Sequence, residues 1–146
     1  MNALHAVLGG AMIVSNLAAG LWGAWCWWRV RPSRAFWPML RTAQALMFLT
    51  ALQGAVLAHQ REDLPPLHLV YGLTPLGVSF IAEQLRVASA QTVLDQRGLE
   101  SSAAVGHLPR SEQRELVLDI VRREIGVMAA SALVVTVLGL RAAELI

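Results

Sequence analysis

The chain has no lysine, a single cysteine, only ten acidic residues and few aromatic side chains, 6% in all. Each shortage excludes something. One cysteine, Cys26, can form neither an intramolecular disulfide nor a multi-thiolate metal site within one chain. Charged side chains make up 15% of 146 residues against 55% hydrophobic ones, more apolar surface than one small soluble core can hide, so the solvent for that surface is expected to be lipid. The basic residues are twelve arginines at a net charge of +2, placed in the connections and not along one basic stripe, which gives no support to nucleic-acid binding. No nucleophile triad, phosphate-cradling glycine loop, zinc-ligand run or pair of catalytic carboxylates can be assembled, so an enzyme acting alone is not expected.

Four stretches are read as long and apolar enough to cross about 30 Å of hydrocarbon, which takes about 20 helical residues. They run from about Ala3 to Trp28, Phe36 to His59, Pro66 to Val87 and Ile125 to Leu145. The start Met-Asn-Ala-Leu-His has no basic n-region and its apolar run exceeds a typical signal-peptide core, so the first stretch is expected to stay in the mature protein. Arginine sets the orientation. Nine arginines lie in or beside the connections after the first and third stretches (Arg29, Arg31, Arg34; Arg86, Arg97, Arg110, Arg114, Arg122, Arg123), and two, Arg61 and Arg141, at the other side. The expected fold is therefore all-α, a single transmembrane domain built as a four-helix up-and-down bundle. Both termini would be non-cytoplasmic, and the protein multi-pass in a cell membrane of the prokaryotic plasma-membrane kind. Trp25, Trp27, Trp28 and Trp37 gather at the cytoplasmic end of the first hairpin, where such rings favour the headgroup region.

Residues 88 to 124 form a hydrophilic linker. The third helix is expected to continue through Gln96, to break at Gly98 and the small run Ser101, Ser102, Ala103, Ala104, and to restart after Pro109 with Ser111 as N-cap and Glu112 and Glu115 complementing the helix dipole. The restarted helix runs into the fourth span, with Leu116, Ile120 and Val121 as a stripe expected to pack on the extended third helix or, alternatively, to meet a partner or a membrane surface. Within the spans, Arg41 and Glu83 each lie about five residues from the cytoplasmic end of adjacent antiparallel helices and are expected to form a structural ion pair at one depth. Asn16, Gln44, Thr50 and Gln53 are expected to hydrogen-bond between helices, and the scattered glycines to permit close helix contact.

One pattern recurs. The first helix opens Leu4-His5-Ala6-Val7-Leu8-Gly9 and the third opens Leu67-His68-Leu69-Val70-Tyr71-Gly72, so Leu-His-x-Val-x-Gly occurs twice at the outer ends of parallel helices. On a helix His5 shares a face with Gly9, Met12, Asn16 and Gly23, and His68 shares one with Gly72, Pro75, Ser79 and Arg86. A glycine one turn below a histidine leaves a groove beside the imidazole. First and third helices of an up-and-down bundle lie on a diagonal, so the two imidazoles are expected to face each other across the interior, ligating the iron of a haem b whose faces rest on Gly9 and Gly72. An alternative metal site adds or substitutes His59, as in a three-histidine copper centre. His107, in the linker, is expected to be solvated, and Cys26 to be an interfacial packing residue.

These paired histidines, together with Gln53-Gly54 followed by His59 and His68, resemble one four-helix half of the heme A synthase fold and the small membrane b-type cytochromes. The resemblance covers the chain in outline. Heme A synthases have eight spans and an acidic outer-loop signature that this chain lacks, so the synthase activity is not implied. It does imply a haem-binding electron-transfer protein, or the haem-bearing anchor of a redox complex, whose partners are the bilayer, other membrane subunits or a second copy, and quinone. The competing expectation is a cofactor-free accessory or scaffold subunit whose cytoplasmic helices are its interaction surface.

Overall fold

In a computed structural model, residues 3–60, 66–99 and 102–144 are described, and among them every regular element is helical. The order is α1 (Ala3–Trp28), α2 (Phe36–His59), α3 (Pro66–Gln96), α4 (Ser102–Val105) and α5 (Arg110–Ala142). Three helices, α1, α2 and α5, are long and apolar enough to cross a membrane. The expected span Pro66 to Val87 lies within α3, whose apolar run is diluted by Pro66, His68, Pro75 and Glu83. Of the four spans read from the sequence, three coincide with or lie mostly within the helices that are long and apolar enough to cross a membrane, and α3 is not among those. Arg61, Ser101 and Leu145 lie outside the described residues.

Helix α5 packs along both α1 and α3, and α1 also packs along α2, whereas α2 meets α3 and α5 sparsely. The first and third helices are thus diagonal partners. Large apolar side chains such as Leu4, Val7, Val14, Phe48, Val56, Phe80 and Val137 point outward, while the core holds Ala19, Ala43, Ala82, Ala129 and Ala132 beside Phe36, Leu40 and Met128. Interior positions filled with small residues and a surface of large apolar ones are the pattern of helices packed closely in lipid.

The α1–α2 seam has a fixed register. Gly9 faces Thr50, Asn16 reaches the Ala43 carbonyl, and Gly23 faces Phe36, so each step along α1 is matched by an equal step back along α2. On the other side of α1, a Cβ at Gly20 would come within 2.7 Å of Leu133, one at Gly126 within 2.7 Å of the Trp27 ring, and one at Gly139 within 2.8 Å of Ile13. Any larger residue at these positions would push the helices apart.

Beyond the end of α1, α3 and α5 continue together as a two-helix stalk. Val93, Leu94 and Leu116 form its buried core, with Leu99, Val105, Leu108 and Ile120 around them, while Val121 packs on the bundle core. Two details of the linker differ from expectation. Ala103 and Ala104 belong to the short helix α4, whose Val105 is drawn onto the stalk core, so the break falls at Gly98. Pro109, not Ser111, holds the N-cap position of α5 and makes no side-chain cap; Ser111 is already helical. The fixed φ of proline and its missing N–H suit the start of a helix without a capping hydroxyl.

Two helices end in the same way with different residues. At the end of α3 the Leu99 N–H returns to the Leu94 carbonyl (3.0 Å) and the Gly98 N–H to Asp95 (3.0 Å), with Gly98 at φ +66°. At the end of α1 the Arg31 N–H returns to Cys26 (3.0 Å) and the Val30 N–H to Trp27 (3.3 Å), with Val30 at φ 52°. Both are Schellman closures, which require a left-handed residue. Glycine occupies that conformation freely, and a β-branched residue does so at a cost of roughly 1–2 kcal/mol. Val30→Gly is accordingly expected to raise the thermal unfolding midpoint in detergent, by about 1 kcal/mol in stability, and Gly98→Val to lower it by about as much. Circular dichroism melts of the two variants check both signs.

Candidate functional site

The polar side chains collect at the two ends of the bundle. At the end where α1 and α3 begin, the His5 and His68 rings lie with centroids 6.0 Å apart and planes tilted by 59°. His68 is carried on the first turn of α3, and its Nδ1 is 2.9 Å from the Ala142 carbonyl in the last turn of α5. A carbonyl there has no partner within its own helix, so the imidazole serves as a cap. With its proton on Nδ1, His68 keeps a free lone pair on Nε2, the tautomer needed of a metal ligand.

His5 lies against α2. Its Cε1 would be 3.1 Å from a Cβ at Gly54, so this glycine makes the room for the ring. Gln53 stands beside it. The His5 Nδ1 and Gln53 Oε1 atoms are both buried without a hydrogen-bond partner in the described structure. The two atoms are neighbours and complementary, so a proton on His5 Nδ1 would let the ring donate to the Gln53 amide oxygen with a small adjustment.

The other residues proposed for this site fall differently. Gly9 is turned toward α2, 4.0 Å from Thr50 Cγ2 by way of its Cβ position, while the Cβ position of Gly72 opens on free space. The glycine in contact with the first imidazole is therefore Gly54, four residues beyond Thr50 on the buried stripe of α2. His59 is exposed at the end of α2. Among the described residues no group of three or more His, Cys, Asp or Glu side chains could hold a metal ion, so the three-histidine copper site does not form. His59 ends the outward side of its helix, which the alternative reading overlooked.

A separation of 6.0 Å suits an ordinary contact between two rings as well as two rings that would share one metal ion. Two imidazoles on one ion, each with its nitrogen about 2.0 Å from the metal, have centroids roughly 6 Å apart. His5 and His68 are the residues that would hold such an ion, with the Ala142 carbonyl on His68 Nδ1 and open space at Gly72, while the contact of Gly9 with α2 leaves only one of the two expected glycine walls free.

Toward the stalk a charged network joins three helices. Arg41 Nη1 donates to Glu83 Oε1 and to Gln44 Oε1 (2.6 Å), and Gln44 Nε2 donates to Glu83 Oε1 (3.1 Å). Arg86 Nε donates to Glu83 Oε2 (3.0 Å), its Nη1 lies 3.7 Å from Glu124, and its guanidinium stands 5.5 Å from the Trp37 ring centre. Arg41 and Glu83 thus come together across α2 and α3, and Arg86 and Glu124, which the sequence reading did not single out, extend the network to α5. Their spacing on separate helices carries no motif. Of the polar residues expected to bridge helices, Asn16 reaches Ala43 (3.5 Å) and Gln44 reaches Glu83, whereas Thr50 turns back to its own Leu46 carbonyl (2.8 Å). Cys26 is buried in the core among Phe36, Leu40 and Ile125, with its thiol free.

Comparison with protein families, with curated proteins and with solved structures finds no match to this chain. Function therefore rests on the geometry alone. Arg41→Ala and Glu83→Ala are each expected to destabilise the bundle by leaving a charge with fewer partners, and the double variant to cost less than their sum. A double-mutant cycle on detergent melts checks this, and strict additivity would mean that the contact contributes nothing.

Proposed function

We propose that the protein is a membrane haem-b protein, either an electron carrier or the haem-bearing anchor of a redox complex, with His5 and His68 as the axial ligands. The observation that supports it is the meeting of the two repeated histidines at a centroid separation of 6.0 Å, across a diagonal of the bundle. Haem bound there supplies a one-electron iron couple. The chain's part is to hold the ligands. The Ala142 carbonyl orients His68 and fixes its tautomer, Gly54 admits the His5 ring, and Gln53 offers an acceptor to a proton on His5 Nδ1.

In this reading α3 is the fourth span, its charged residues near the stalk end being neutralised by one another. The first and third connections face the cytoplasm, as their arginines require, and the histidine end lies at the outer surface. Quinone in the bilayer and an outer-face redox subunit are the partners that such a site suits. The competing reading, a cofactor-free accessory subunit, draws on one observation, that His68 already has a structural task in capping α5.

The two readings separate on the purified full-length protein. The haem reading expects a Soret band with α and β bands sharpening on dithionite reduction, lost in His5→Ala and in His68→Ala, and displaced in Gly54→Leu, where the new side chain takes the space of the imidazole. A colourless, folded preparation without iron by elemental analysis would falsify it. Orientation is checked separately: alkaline phosphatase fused after residue 146 is expected to be active and a fluorescent protein at the same place dark.

A further inference from the structure

At the far end of α1, opposite the histidines, the stalk holds a half-open groove of about 580 Å³ lined by Trp27, Val93, Gln96, Arg97, Asp119, Arg122 and Arg123. This volume lies in the range of small-molecule sites. Three guanidinium groups face one carboxylate. Arg97 Nη2 is paired with Asp119 (2.7 Å), but Arg122 and Arg123 have neutral acceptors only: Arg122 Nε donates to the Trp27 carbonyl (3.3 Å) and Arg123 Nη2 to Gln96 Oε1 (3.0 Å). Among the described residues neither meets a carboxylate at ion-pair distance.

One wall of the pocket is an indole ring. The Trp27 ring is seated on Gly126 of α5, with the Arg122 guanidinium 5.6 Å from its centre. Trp27 closes the apolar α1 helix, beside the exposed Trp25 and Trp28. The pocket therefore opens where α1 stops being apolar, at the level of a membrane's headgroups and on the arginine-rich side.

We infer that this pocket binds the phosphate headgroup of an anionic phospholipid, with Arg122 and Arg123 as its phosphate ligands and Trp27 as the wall against the acyl-chain side. Guanidinium groups without a carboxylate partner present paired N–H donors that match phosphate oxygens. Basic pockets between helices on the cytoplasmic side are suited to acidic headgroups. The volume is larger than inorganic phosphate needs and accommodates a phosphoglycerol group. The site is independent of the histidine pair, since no residue is shared and the two lie at opposite ends of α1.

The experiment is a thermal-shift titration of the full chain in neutral detergent with short-chain phosphatidylglycerol, short-chain phosphatidylcholine and inorganic phosphate. Phosphatidylglycerol alone is expected to raise the melting temperature, saturably. Arg122→Gln/Arg123→Gln is expected to weaken that binding roughly twentyfold, since each basic residue contributes about a fivefold effect. Single Arg123→Gln, at an exposed side chain that meets only Gln96, shifts it in the same direction by less and serves if the double variant does not fold. Arg110→Gln/Arg114→Gln, the same charge change at the start of α5, should leave the titration as it is. An equal response to inorganic phosphate overturns the lipid assignment. No response to phosphatidylglycerol, or an equal loss in the Arg110/Arg114 control, overturns the site.

Discussion

Close approach of α1 to both its neighbours is the constraint on which the rest of this structure depends. In lipid, burying an apolar side chain between helices gains little over leaving it in hydrocarbon, so helices associate through tight packing and hydrogen bonds. Gly23, Gly20 and Asn16 allow α1 to lie against Phe36, Leu133 and the Ala43 backbone at distances that larger residues would forbid. That contact fixes register as well as distance. With Gly23 on Phe36 and Gly9 on Thr50, His5 must lie on Gly54, and with Gly126 under Trp27 the other end of α1 is set against α5.

Helix α2 has less packing on its far side, and polar contacts take up the difference. Glu83 accepts from Arg41, Gln44 and Arg86, and Arg86 reaches on to Glu124, so a chain of side chains connects α2, α3 and α5 where their backbones stand apart. An unpaired charge at that depth would be expensive; here each has a partner. The network also divides the molecule. Above it the interior is mostly apolar, with Asn16, Thr50 and Thr136 buried and hydrogen-bonded to backbone carbonyls, and below it α3 and α5 form a stalk with a soluble-protein pattern of buried Val93, Leu94 and Leu116 and charged exteriors.

The two ends consequently offer different chemistry. One has a pair of imidazoles with a buried unsatisfied nitrogen and amide oxygen beside them, the other a cluster of guanidinium groups against a fixed indole. Each end draws one ring from α1, His5 or Trp27, and its other groups from the neighbouring helices. A ligand at either end would meet side chains carried on helices and not on loops.

The ranges of the long helices, the break at Gly98, the stalk stripe and the meeting of His5 with His68 were legible in the residues, because hydropathy, helical period and turn chemistry act within a few positions along the chain. The same reading missed Gly54 as the seat of the imidazole, the Ala142 carbonyl as the partner of His68, the left-handed Val30 and the addition of Glu124 to the charged network. Each of these depends on how a helix is rotated about its own axis against a neighbour distant in sequence. The sequence by itself determined where the helices run and which of their ends carry histidine or arginine, since a helix satisfies its backbone hydrogen bonds locally. Only the tertiary structure decided which glycine each ring rests on and which groups stay unpaired, since those follow from close packing of small residues between helices, for which the period of one helix carries no signal.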